Sequence, residues 1–138
     1  MAGSALARKM KLKAATRAAV INAPPGYLKT LAPLPAGVEL TEALKGRCGW
    51  IQAFVRTSAE LNGLAPKLVK ALAEAGLLWI SFPKGASGIQ TDLTRDQGWD
   101  ALGGADLKRV TLVSVDATWS AFGLRRYRPS EPRQPARR

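Results

Sequence analysis

The sequence predicts a single three-layer α/β domain whose mainly parallel sheet ends in an antiparallel hairpin. Three observations carry that expectation. Short apolar runs (Val20-Ile21, Trp50 to Val55, Leu77 to Phe82) alternate with segments of helical spacing, the pattern of strands joined by crossover helices. The 138 residues suffice for one hydrophobic core and not for two. Near the C-terminus, Arg109 to Val115 and Trp119 to Tyr127 are separated only by Asp116-Ala117-Thr118, a link that permits a hairpin and no crossover.

Taken in order, Ser4 to Lys13 has the makings of a short helix, with Leu6, Met10 and Leu12 as apolar contacts. Arg17 to Asn22 reads as a buried strand centred on Val20 and Ile21, stopping before Pro24 and Pro25. Tyr27 to Leu34 reads as a helix ended by Pro33 and Pro35, and Val38 to Thr41 as a brief second strand. Only about eight residues then lead to the third strand, fewer than a parallel crossover usually takes, so the second strand belongs at the sheet edge or is vestigial. Trp50 to Val55 is apolar at almost every position, as in a strand covered on both faces.

Thr57-Ser58-Ala59-Glu60 has capping-box spacing. The helix after it is expected to break near Asn62-Gly63, to restart with Pro66, and to stop at Gly76, keeping an apolar face through Leu61, Leu64, Leu68 and Leu72. Leu77 to Phe82 is the next strand. Pro83 to Thr91 forms a loop, and Thr91 or Asp92 caps a helix running to about Leu102 before the terminal hairpin. The domain division is 1–13 as a basic arm or short helix, 14–127 as the α/β domain, and 128–138 as a Pro- and Arg-rich tail with little to bury.

The formal charge of +11 suggests nucleic acid until its location is considered. Five basic residues and no acids precede residue 18, and six basic residues against Glu131 follow residue 124, while the body between is nearly neutral. The excess therefore reads as flexible basic arms, with Lys9, Lys11, Lys13, Arg125, Arg126 and Arg128 as the residues for weak, salt-sensitive polyanion binding. No apolar run approaches the roughly 20 residues of a membrane span, and no secretory signal pattern is present. The lone Cys48 excludes an internal disulfide and fits a cytoplasmic location.

Two further features bear on chemistry. The chain has no histidine, which excludes histidine-dependent triads and zinc-histidine sites, and no metal site is expected. The turn after the first strand, Asn22-Ala23-Pro24-Pro25-Gly26-Tyr27, places prolines where a cofactor loop would use glycine, removing two amide donors from any nest around a phosphate.

The order of helix, strands and terminal hairpin over roughly residues 5 to 127 resembles a reduced class I methyltransferase, a Rossmann-like fold. At finer scale, Ala19 to Tyr27, Leu78 to Lys84 and Thr91 to Arg95 resemble a family of small bacterial proteins of unknown function. The first resemblance implies an S-adenosylmethionine site with an acid and a glycine-rich turn after the first strand, and an acid near the end of the second. Asn22 and the prolines depart from the former; Glu39 or Glu42 could supply the latter. On this ground the sequence argues against S-adenosylmethionine as a cofactor, and no cofactor is expected.

In such folds, ligands gather beyond the carboxyl ends of the parallel strands. That edge would collect Asn22, Tyr27, Lys84, Ser87, Asp92, Thr94, Arg95 and Trp119, offering cationic, hydroxyl and carboxylate groups. Trp50, Trp79 and Trp99 are assigned to packing, and Cys48 to a small buried position. The leading expectation is a non-catalytic binding protein that takes a small anionic ligand or a protein partner at this edge. The alternative is a nucleic-acid-associated protein using its basic arms, and the third a divergent S-adenosylmethionine-dependent methyltransferase.

Overall fold

A computed structural model of the chain describes residues 3–44, 46–89, 91–94, 99 and 107–127. Its elements in order are α1 (Ala5–Lys9), β1 (Arg17–Ile21), α2 (Tyr27–Leu31), β2 (Glu39–Thr41), β3 (Cys48–Phe54), α3 (Ser58–Ala71), β4 (Leu72–Pro83), β5 (Leu107–Ser114) and β6 (Trp119–Arg126), with a 3-10 turn over Gly85–Ser87. The strands form one sheet in the order β2-β1-β3-β4-β6-β5. Strands β1 to β4 run parallel, and β6 runs antiparallel to both neighbours. The terminal hairpin thus exists, yet its returning strand lies inside the sheet and leaves β5 at the edge. Burial decides this: Ala121, Phe122 and Leu124 of β6 are buried, whereas Val110 and Leu112 of β5 are exposed.

Period-two alternation sends successive side chains to opposite faces and builds two cores. One face carries Ala19, Ile21, Ile51, Ala53, Leu78 and Ile80 against Leu61, Ala65 and Leu68 of α3. The other carries Ala18, Val20, Trp50, Phe54, Trp79 and Trp119 against Ala7, Met10, Tyr27 and Leu31 from α1 and α2. The N-terminal segment is therefore a docked element of the second layer. Ser4 caps α1 by accepting from the Ala7 amide at 3.0 Å and donates to the Leu31 carbonyl at 2.6 Å. The Met10 carbonyl accepts the indole N–H groups of both Trp50 (2.8 Å) and Trp79 (2.9 Å).

The short link after β2 is possible because β2 is three residues long and pairs with Arg17 to Ala19, the beginning of β1, so the chain has little sheet to climb back before β3. Helix α2 ends at Leu31, earlier than the expected Leu34. Helix α3 corrects two further expectations. It runs unbroken through Asn62, Gly63 and Pro66. All three are exposed, so water can serve the carbonyl that Pro66 leaves without a donor, while Leu61, Ala65 and Leu68 hold the buried face. It ends at Ala71, and Gly76 lies inside β4. The pairs Cys48–Leu72 and Trp50–Leu77 leave extra residues on β4, a bulge that needs glycine at position 76. A Cβ there would stand 2.8 Å from Leu72 Cδ1 and 2.9 Å from the Ala73 carbonyl oxygen.

The helix expected after Thr91 is absent over residues 91–94, and the remainder of that expectation lies outside the described residues, apart from Trp99, which is not helical. No helix among the described residues is long and apolar enough to cross a membrane.

Candidate functional site at the strand ends

The connections of β1 and β3 leave in opposite directions, β1 through α2 to β2 and β3 through α3 to β4. The gap beyond their carboxyl ends is a topological switch point, where ligands bind in open α/β sheets. The turn from Asn22 to Pro25 occupies this gap and separates two hollows. One, of about 560 Å³, opens towards β2 and is lined by Asn22 to Lys29, Val20 and Glu42. The other, of about 260 Å³, opens towards β3 and is lined by Phe54, Arg56, Glu60 and Trp119 together with Asn22 to Pro25.

Local structure explains the shape. Asn22 turns the chain out of β1 with φ of +59°, and the Tyr27 amide closes the turn on the Pro24 carbonyl at 3.1 Å. Gly26 opens α2 with φ of +81°, and nothing lies within 4 Å of where its Cβ would stand. The backbone is thus bare on the side of the larger hollow. Beneath the turn lies an edge-to-face series, Tyr27 on Phe54 at 4.7 Å between centroids and Phe54 on Trp119 at 5.1 Å.

The floor is fixed by a buried polar chain. The Tyr27 hydroxyl donates to Gln52 Oε1 at 2.6 Å, and Gln52 Nε2 donates to Ser81 Oγ at 2.9 Å. Gln52 and Ser81 are fully buried. Burial pushes the Tyr27 phenol far above its ordinary range despite the Gln52 bond. Its hydroxyl is therefore a structural donor, and its ring a wall of the site.

The residues expected at this edge divide into separate groups. Asn22 faces both hollows, Tyr27 lines the larger and Trp119 the smaller. Lys84, Asp92 and Thr94 border a third, open depression of about 900 Å³ on the α3 face, walled by Phe82, Ile89, Leu93 and Leu112. Asp92 is held by α3: its carboxylate accepts from the Ser58 amide at 2.7 Å and from the Ser58 hydroxyl. These bonds, the hydroxyl's foremost, keep the Asp92 pKa below the usual carboxylate value. Ser87 closes a local turn with the Ile89 amide at 3.2 Å. Arg95 lies outside the described residues.

The basic set also divides. Lys11 and Lys13 are exposed, and Lys9 reaches the Ser114 carbonyl at 2.7 Å. Arg126 donates to the Val69 and Leu72 carbonyls at 2.8 and 2.9 Å, closing the end of α3, and Arg125 donates to the Arg126 carbonyl at 3.0 Å. Arg128 lies outside the described residues. Among the described residues no cluster of metal-ligating type occurs. Cys48 is buried, and that burial raises its thiol pKa.

Three polar groups at the hollows carry chemical information. Glu42, exposed just beyond β2, lines the larger hollow, whereas Glu39 does not. Arg56 and Glu60 provide a cation and a carboxylate at the smaller hollow. The Arg56 guanidinium makes no hydrogen bond or ion pair among the described residues, and Glu60 Oε1 accepts from the Arg56 amide at 3.1 Å. Glu60 escaped notice in the sequence because its capping-box position already accounted for it.

No family model matches the chain, and no curated protein does. Solved structures do. DhpI in its SAH complex is 9% identical, with a TM-score of 0.62 over 88% of this chain and 82% of that one. Ribosomal protein L11 methylase from Lactobacillus delbrueckii subsp. bulgaricus is 14% identical, with a TM-score of 0.58 over 88% and 76%. An O-methyltransferase family 2 protein from Planctomyces limnophilus, solved with apigenin, is 12% identical, with a TM-score of 0.60 over 81% of this chain and 50% of that one. The chain has the Rossmann-like fold of class I methyltransferases.

This likeness overturns the expectation that argued against S-adenosylmethionine, since a protein of the same fold holds SAH. Asn22, Pro24 and Pro25 still depart from the acid and glycine-rich turn of such a site, but that departure does not decide against the cofactor: the prolines remove amide donors that a phosphate would need, and S-adenosylmethionine carries no phosphate.

Proposed function

We propose that the protein binds S-adenosylmethionine across the Asn22 to Pro25 turn and acts as a methyltransferase of small size. The observation that carries this reading is the match between the charges of the two hollows and the two ends of that molecule. The larger hollow offers a carboxylate, Glu42, suited to a ribose diol, beside a turn kept bare by Gly26. The smaller offers Arg56 and Glu60, a pair suited to the carboxylate and ammonium of an amino acid. The likeness to a protein solved with SAH supports the same reading.

Bound S-adenosylmethionine would supply an electrophilic methyl group, and this chain's own residues would hold and orient the donor. Tyr27 and Cys48 are buried with raised pKa values, while Asp92 is lowered and held by Ser58.

Calorimetric titration with S-adenosylhomocysteine and with methylthioadenosine, which lacks the amino-acid end, tests the assignment. Saturable binding of both is expected. Glu42→Gln should weaken both about tenfold, the effect of losing about 1.4 kcal/mol of charge-assisted hydrogen bonding. Arg56→Gln should weaken S-adenosylhomocysteine alone. Wild-type protein that binds neither compound at millimolar concentration would overturn the proposal.

A further inference from the structure

Two lysines distant in sequence meet at one residue. Lys9, on α1, donates to the Ser114 carbonyl at 2.7 Å, and Lys84, just after β4, donates to the Ser114 hydroxyl at 2.6 Å. Ser114 ends β5, a strand parallel to β1, so the meeting point lies on the carboxyl edge of the sheet that also carries the two hollows.

Like charges brought this close repel one another, and a neutral serine offsets little of that repulsion. The nearest acid on the same loop is Asp116, whose backbone carbonyl lies 3.4 Å from the Ser114 hydroxyl. Its carboxylate is turned to the hairpin, accepting from the Thr118 and Trp119 amides at 2.8 Å each. Neither ammonium has a carboxylate partner among the described residues. The result is a pair of cations on one residue, Lys9 exposed and Lys84 half-buried, with donor capacity left over, since each ammonium carries three N–H groups and makes one hydrogen bond among the described residues.

We propose that Lys9 and Lys84 form a phosphate-binding site, with Ser114 as the residue that gathers them. A phosphate oxygen between the two ammonium groups would relieve their repulsion and take the N–H donors that Ser114 does not use. The site stands apart from the methyl-donor reading, because neither lysine lines the hollows at the Asn22 turn. It also gives the charge of the N-terminal segment a definite place, since docking of α1 delivers Lys9 to the sheet edge. Lys11 and Lys13, in the same basic segment, have no such convergence and serve as the comparison.

Two probes separate the sources of the phosphate: inorganic pyrophosphate by calorimetry, and a labelled single-stranded 12-mer RNA by anisotropy from low to high salt. Lys9→Gln/Lys84→Gln and Lys11→Gln/Lys13→Gln remove equal charge, so a difference between them reports the site and not the overall field. The first pair should lose at least tenfold in affinity and the second no more than twofold, while Lys9→Arg/Lys84→Arg retains binding. If the RNA also responds, with the slope of log K against log salt shallower by about 1.4, the phosphate belongs to nucleic acid. A response confined to pyrophosphate supports the same site with a small phosphoester as its ligand. Equal losses in the two glutamine pairs for both probes, or no binding of either probe by wild type at low salt, would refute the site.

Discussion

Gln52 is the residue on which the centre of the molecule turns. A glutamine in an otherwise apolar strand, fully buried, is tolerated because both ends of its amide are used, one by Tyr27 and the other by Ser81. Gln52→Leu would keep the volume, leave the serine hydroxyl without its glutamine partner and leave the phenol only the weak sulfur acceptor of Met10 at 3.9 Å. Each buried group deprived of its partner costs about 1–3 kcal/mol, so the two together should destabilise by about 2–6 kcal/mol. Adding Tyr27→Phe and Ser81→Ala should recover most of that loss, since a fully apolar version leaves nothing unsatisfied. Urea unfolding with an unchanged m-value would read both effects as shifts in midpoint. A triple variant no more stable than Gln52→Leu would show that the network is not what makes the glutamine necessary.

At the scale of elements, the start of α3 joins distant parts of the chain. Thr57 accepts from the Glu60 amide at 3.2 Å, and Asp92, arriving from the segment after β4, takes the Ser58 amide. A carboxyl whose pKa is lowered on folding adds stability above its unfolded pKa, about 3.9, and loses it as pH falls through the folded value. Wild type should therefore melt above Asp92→Asn at neutral pH, and the gap should close as pH falls below the unfolded value and through the lowered folded one. A gap that persists in acid would assign the stabilisation to shape and not to charge. The Thr57 to Glu60 cap was legible in sequence because its partners are three residues apart. The Ser58–Asp92 contact was not, since only the fold brings those residues together. The same contrast explains β4: Leu61, Leu64, Leu68 and Leu72 keep helical spacing, and only pairing with Cys48 turns Leu72 into a strand residue. At the site, Asn22, Tyr27 and Glu42 were within reach of sequence reasoning. The meeting of Lys9 with Lys84 depended on the docking of α1, which the weak apolar pattern of that segment did not announce.

For the molecule as a whole, that docking determines whether the first dozen residues are an appendage or part of the domain. Met10 and Leu12 are buried, and burying a large apolar side chain is worth about 1.5–3 kcal/mol. The Met10 carbonyl also serves two buried indoles, each of which would cost about 1–3 kcal/mol if left unpaired. Together these reach about 5–12 kcal/mol, comparable with the 5–15 kcal/mol that holds a typical domain folded. A flexible basic arm could be removed without consequence, but removal of residues 1–12 should abolish cooperative unfolding and shift tryptophan emission to the red as Trp50 and Trp79 meet water. Near-UV circular dichroism and fluorescence melting would register the change. A truncated protein melting like the full chain would mean that the α2 layer closes over the sheet unaided, and that Met10 is a bystander to the two indoles.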